Sequence, residues 1–197
     1  MENIKNGDIL GFHYKKWYYL IGKIIALFAY IINPERQTLL KIEHVGMIFD
    51  IRREDDNTII FTFGECVGHE NGNTTSSYSI QNVDGKYLID SRFRNKGIAL
   101  YLLPCIRELT EDENTLVKDF WLTQTPYSAV EAAISPNWIQ KLLKPFLKNA
   151  KKLDRFCSGQ VNKCFSNLGF TNLDPLPSPP ELPNQSYIDR KAIAQLC

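Results

Sequence analysis

Two neighbouring runs of strand-like sequence, joined by four polar residues, constrain this chain more than any other feature. Residues 41–52 alternate, with Val45, Met47, Phe49 and Ile51 on one face and Ile42, His44, Gly46 and Ile48 on the other. That is the period-two pattern of a strand whose two faces see different surroundings. Residues 58–65 follow, rich in β-branched and aromatic side chains. Between them Glu54-Asp55-Asp56-Asn57 has turn chemistry, because short polar side chains bond to nearby amides there. Residues 86–91 and 98–103 read as two further strands across a Gly-containing turn, and such closely spaced strands are predicted to form an antiparallel meander. The polar stretch between Cys66 and Tyr87, rich in Asn, Ser, Thr and Gly, reads as a loop, either a flap beside a site or a plain connection.

Helices flank this sheet. Residues 16–32 carry apolar side chains over about half of a helix circumference, and Asn33-Pro34 ends the pattern. Thr110-Glu111-Asp112-Glu113 has the capping-box form, opening a helix predicted to run to about Gln124. A helical region over 130–150 is interrupted near Pro136 and Pro145, and a last helix over 157–168 stops at Gly169. Before the helix at 16–32, Gly7-Asp8-Ile9-Leu10-Gly11-Phe12 reads as a short strand after a turn. The expectation is an α+β fold, a single domain over 1–197 with 171–197 as a Pro-rich C-terminal extension. Five of the ten prolines lie between 175 and 183, so that extension is predicted to be extended and draped over the domain.

Composition removes several classes of function. Apolar residues make up 44% and charged residues 23%, so the chain can form a core and is neither a disordered nor a fibrous sequence. A net charge of +1 lacks the basic excess that a nucleic-acid binder uses against phosphates. Five cysteines are too few for a disulfide framework at this length, and no basic segment followed by an apolar core opens the chain. The expected setting is cytoplasmic, with reduced thiols. The apolar stretch 17–32 carries Lys23 and is shorter than the ~20 residues a bilayer crossing needs, so peripheral membrane contact is not favoured over burial.

Three residues carry possible chemistry. Cys157 falls in the first turn of its helix, with Asp154 as N-cap, where free amides and the helix dipole favour a thiolate. It is also the first member of the apolar stripe 157, 161, 164, 165 and 168, and so fits a core role. His44 lies within an apolar strand, where a histidine is either a hydrogen-bonded core residue or a proton carrier. Gly46, on the same face, leaves room for another group to approach. Glu65 ends the next strand, within hairpin reach of His44. A carboxylate there is either a solvated charge or the group that orients an imidazole. Glu65-Cys66-x-x-His69-Glu70 offers metal-type donors, but no second pair stands at zinc spacing, so no metal and no cofactor is assigned. No phosphate-binding glycine loop and no Gly-x-Ser-x-Gly elbow occurs.

Taken in order, Gly7-Asp8-Ile9-Leu10, His44-Val45-Gly46-Met47-Ile48, Gly64-Glu65, Pro126-Tyr127-Ser128 and Phe156-Cys157-Ser158-Gly159-Gln160-Val161 form a set. It resembles the circularly permuted NlpC/P60 proteins, and more closely the YiiX/YebB-like branch of these papain-fold thiol hydrolases. The resemblance spans about residues 7–170. It departs at Gly159, where the branch commonly has an acidic residue, and at Ser128, which replaces a frequent aspartate. The resemblance implies a permuted papain-like fold, a β-meander packed on helices with the nucleophile helix near the C-terminus. It further implies that Cys157 attacks an acyl carbon, His44 carries the proton, Glu65 holds the imidazole and Tyr127 lines the substrate cleft. The expected activity is amide hydrolysis through a thioester, on a small peptide, an amino-acid amide or an acyl lipid. A lipid-directed acyltransferase or phospholipase and a non-catalytic binding module are the alternatives.

Overall fold

The computed structural model describes residues 4–14, 42, 44–67, 72–83, 86–90, 98–123, 125–128, 157–173 and 179–196. The predicted helices over 16–32 and 130–150, Asp154, His69 and Glu70 lie outside the described residues. Among the described residues seven strands form one antiparallel sheet in the order β5-β4-β3-β2-β1-β6-β7. They are β1 Ile9–Tyr14, β2 His44–Arg53, β3 Thr58–Val67, β4 Gly72–Val83, β5 Lys86–Ile89, β6 Ile98–Leu103 and β7 Ala194–Gln195. Two α-helices are described, α1 Glu111–Leu122 against β2 and β4, and α2 Cys157–Asn167 against β2 and β3. The architecture is therefore α+β.

The β2–β3 hairpin forms where alternation places it. Asp55 Oδ1 accepts the Asn57 amide at 2.7 Å inside the turn, and Glu54 N–H donates to the Thr58 carbonyl at 3.0 Å to close it. One reading needs correction. Ile51 does not share a face with Val45, Met47 and Phe49; it packs with Ile48 in the opposite cluster. The register shifts between Phe49 and Arg52, and Asp50 adopts φ 52°, so one extra residue in β2 turns the pattern over. Ile42, ahead of the strand, likewise lies in the cluster of Val45 and Met47 rather than on the His44 face.

Three further expectations are overturned. Residues 72–83 are no loop, because β4 pairs with β3 from Thr58↔Gln81 to Val67↔Gly72. Its threonines and serines are strand-compatible residues on a half-covered surface. The strand at 98–103 does not continue the meander; β6 pairs with β1 instead. The described residues of the tail are not a drape. Pro179–Asn184 forms a 3-10 turn that buries Leu182, and Tyr187 stacks on Phe165 with ring centroids 3.8 Å apart and 9° between planes. The Tyr187 hydroxyl donates to Asn162 Oδ1 at 3.3 Å, so these last residues complete the core around α2.

The caps follow the sequence closely. Thr110 and Glu113 form both bonds of the capping box, and Arg107 grips the same Glu113 carboxylate with two nitrogens. At the end of α2, Phe170 N–H reaches the Phe165 carbonyl and Gly169 N–H that of Ser166, each at 3.1 Å, with Gly169 at φ 81°. Asp8 is fully buried; its carboxylate accepts the amides of Lys5 at 3.0 Å and Cys105 at 2.8 Å, locking the start of β1 to the exit of β6. Among the described residues no helix is long and apolar enough to cross a membrane.

Candidate active site

The site is assembled on the hairpin. In the β2–β3 register Gly46 faces Glu65, which places His44 and Glu65 diagonally on one face of the sheet. His44 Nε2–H donates to Glu65 Oε2 at 2.6 Å, with the two side chains 13% and 19% exposed. The charge on each is thus largely removed from solvent but matched. The neighbouring Phe12, which pairs with His44 across β1 and β2, holds its ring centroid 5.6 Å from the imidazole and forms one wall. Gly46 is required at this point by close approach. A Cβ there would collide with the Phe63 ring and sit 2.6 Å from the Gly64 carbonyl oxygen. The space that glycine leaves beside His44 is therefore filled by Phe63 rather than kept open.

Cys157 is the first residue of α2 and is almost entirely buried. Its side chain hydrogen-bonds with that of His44, which also holds Glu65 through Nε2. Burial alone pushes the thiol pKa up. The adjacent imidazole outweighs it by charge and hydrogen bond, the amides of Val45 and Ser158 add to this, and the pKa falls below its ordinary value. The converse holds for His44. Burial opposes its charge, but the Cys157 sulfur and then the Glu65 carboxylate push its pKa up to about 10. Both directions favour a thiolate beside an imidazolium. Such a pair holds a nucleophile and a proton donor in contact at neutral pH.

Tyr127 lies half-buried against the same core cluster. Its phenol is pushed up to about 12 by burial and then by the nearby sulfurs of Cys157 and Cys66. Thus the structure brings His44, Glu65, Cys157 and Tyr127, drawn from β2, β3, α2 and the segment after α1, into one neighbourhood. Ser128 is half-buried next to Tyr127, and Gly159 is buried within α2. Sequence reasoning overlooked Phe12, Asn73 and the Val45 amide. The apolar alternation of β1 marks Phe12, but nothing in the polar run after Cys66 advertises Asn73 as a buried residue.

Among the described residues no group of three or more His, Cys, Asp or Glu is arranged to hold a metal ion. No family model, no curated protein and no solved structure matches the chain.

Proposed function

We propose that this protein is a cysteine hydrolase of the amidase or peptidase type, built as a circularly permuted papain-like domain of the NlpC/P60 kind. One observation carries the reading: His44 stands between a carboxylate at 2.6 Å and a hydrogen-bonded cysteine sulfur at a helix start. Those are the positions of orienter, base and nucleophile in acyl-transfer sites, which are defined by geometry and not by chain order. In the proposed reaction the Cys157 thiolate attacks the carbonyl carbon of an amide. Amides at the start of α2 supply donors for the oxyanion. The C–N bond then breaks, and the leaving amine takes its proton from His44. Water, deprotonated by His44, attacks the thioester, releases the acid and restores the pair. Tyr127 lines the acyl side of the cleft. The proposed setting is the cytoplasm, in keeping with the free thiols of Cys66, Cys105, Cys157 and Cys164.

The test is turnover of a panel of small peptide and amino-acid amides by the wild-type protein and by Cys157→Ala. The reading expects hydrolysis in the wild type and none in the variant, with an unchanged circular-dichroism spectrum. Hydrolysis that survives the substitution contradicts it. Ligand binding without any acyl adduct would mark a binding module, and acyl transfer from lipid vesicles in place of amide cleavage would mark a lipid-directed enzyme.

A further inference from the structure

The first two residues of β4 have a role beyond extending the sheet. Asn73 is only 2% exposed and pairs with Cys66, so its side chain stands on the same face as that thiol. Its backbone N–H donates to the Thr125 carbonyl at 3.2 Å, and its side-chain Nδ2 donates to the Thr123 carbonyl at 3.2 Å. Two carbonyls of the segment leaving α1 are thus held by one residue. Gly72 makes the approach possible. At φ 148° it has a backbone disfavoured for other residues, and a Cβ would collide with the Thr125 carbonyl oxygen and lie 2.9 Å from its carbon. Two residues further on is Tyr127.

Asn73 Oδ1, by contrast, finds no hydrogen-bond partner among the described residues. A buried amide with one end unpaired is a poor choice for sheet stability alone. The donor end is what this position uses. We propose that Gly72 and Asn73 are positioning residues: they clamp Thr123 and Thr125 so that Tyr127 stands as the wall of the cleft beside Cys157. This rests on the cysteine-hydrolase reading and assigns to β4 the shaping of the acyl-binding side.

The experiment compares two reagents on Cys157: iodoacetamide, which needs only the thiolate, and N-acetyl-alanine chloromethyl ketone, which must also occupy the cleft. In Asn73→Ala the iodoacetamide rate and its pH profile are expected to stay within about twofold of wild type. The chloromethyl ketone's half-saturation concentration is expected to rise about tenfold with little change in limiting rate. In a Tyr127→Ala background the Asn73 substitution should add nothing further. Equal losses with both reagents, or an undiminished effect without Tyr127, would overturn the proposal.

A second readout needs no reactive thiol. Of the nine tyrosines, labelled with 3-fluorotyrosine, the 19F line that Tyr127→Phe removes should shift in both Asn73→Ala and Gly72→Ala. A line that stays put in both variants rejects the clamp whether or not Cys157 is reactive. A line that moves while wild-type Cys157 reacts no faster than the other thiols keeps the clamp and rejects the hydrolase reading.

Discussion

Removing the imidazole at position 44 should change how Cys157 responds to pH. The rise of the His44 pKa from 6.5 to about 10 corresponds to on the order of 5 kcal/mol in favour of its charged form. The sulfur contributes ahead of Glu65, and a hydrogen bond between charged partners is worth about 2–3 kcal/mol. Because the interaction is mutual, His44→Ala withdraws the same amount from the thiolate, while burial of the thiol remains. At pH 6 the thiolate population should fall roughly 30- to 150-fold. The less acidic thiol is intrinsically the better nucleophile, and a Brønsted slope of about 0.4–0.5 returns roughly 5- to 10-fold of the loss. The net expectation is about a tenfold slower alkylation at pH 6, shrinking and then reversing at high pH. Iodoacetamide labelling of Cys157, followed by peptide mass spectrometry with Cys105 and Cys164 as internal references, measures this directly. The reasoning is refuted if wild-type labelling climbs with pH like an ordinary thiol and the His44→Ala profile overlays it.

Other outcomes follow from the fold. Burial raises the Asp8 pKa to about 6, so the folded protein holds that proton more tightly than the unfolded chain; Asp8 favours the fold most below pH 4 and loses about 3 kcal/mol by pH 6–7. Urea unfolding should show the stability gap between wild type and Asp8→Asn moving by that amount in the variant's favour between pH 4 and pH 7. Glu113 behaves oppositely. The Arg107 bond holds its pKa down at about 2, so its stabilisation is present above its ordinary value of 4.5 and is lost as pH falls towards 2, an effect that Glu113→Gln should abolish in acid titrations. Gly46→Ala presses a methyl group against backbone as well as the Phe63 ring, with an expected loss of about 1–3 kcal/mol in thermal or urea unfolding and slower Cys157 alkylation. Tyr187→Ala should cost about 3–5 kcal/mol because its ring fills the core against Phe165, whereas a tail merely lying on the surface would cost almost nothing.

What could be read in advance was whatever local chemistry decides. The turn at 54–57, the Thr110–Glu113 box, the α2 stripe and its Gly169 stop each need only a few adjacent residues, and each stands where it was expected. The meeting of His44 with Glu65 was legible for the same reason, since a hairpin fixes which residues face each other. Contact with Cys157 came only through an ordered set of weak motifs, because nothing near position 157 encodes a partner on β2. Non-local pairing was the chief blind spot. That β6 joins β1 and not β5 is a pairing between distant segments that no local motif specifies. Polar strands were the other. Thr74, Thr75 and Ser76 on β4 are half-buried yet resemble a loop in composition, so Asn73 went unnoticed. Asp50 shows how a single residue at positive φ reverses a face that alternation alone extends too far.

The protonation state of His44 tests the central claim most directly. The chain has three histidines, and the 15N shifts of their rings can be followed by two-dimensional NMR as pH is raised. One imidazole is expected to remain doubly protonated at pH 8 and to lose that proton about two pH units lower when Cys157 is alkylated or replaced by alanine. If all three rings lose their protons near pH 6.5, and alkylation shifts none of them, there is no imidazolium–thiolate pair for the proposed chemistry to use.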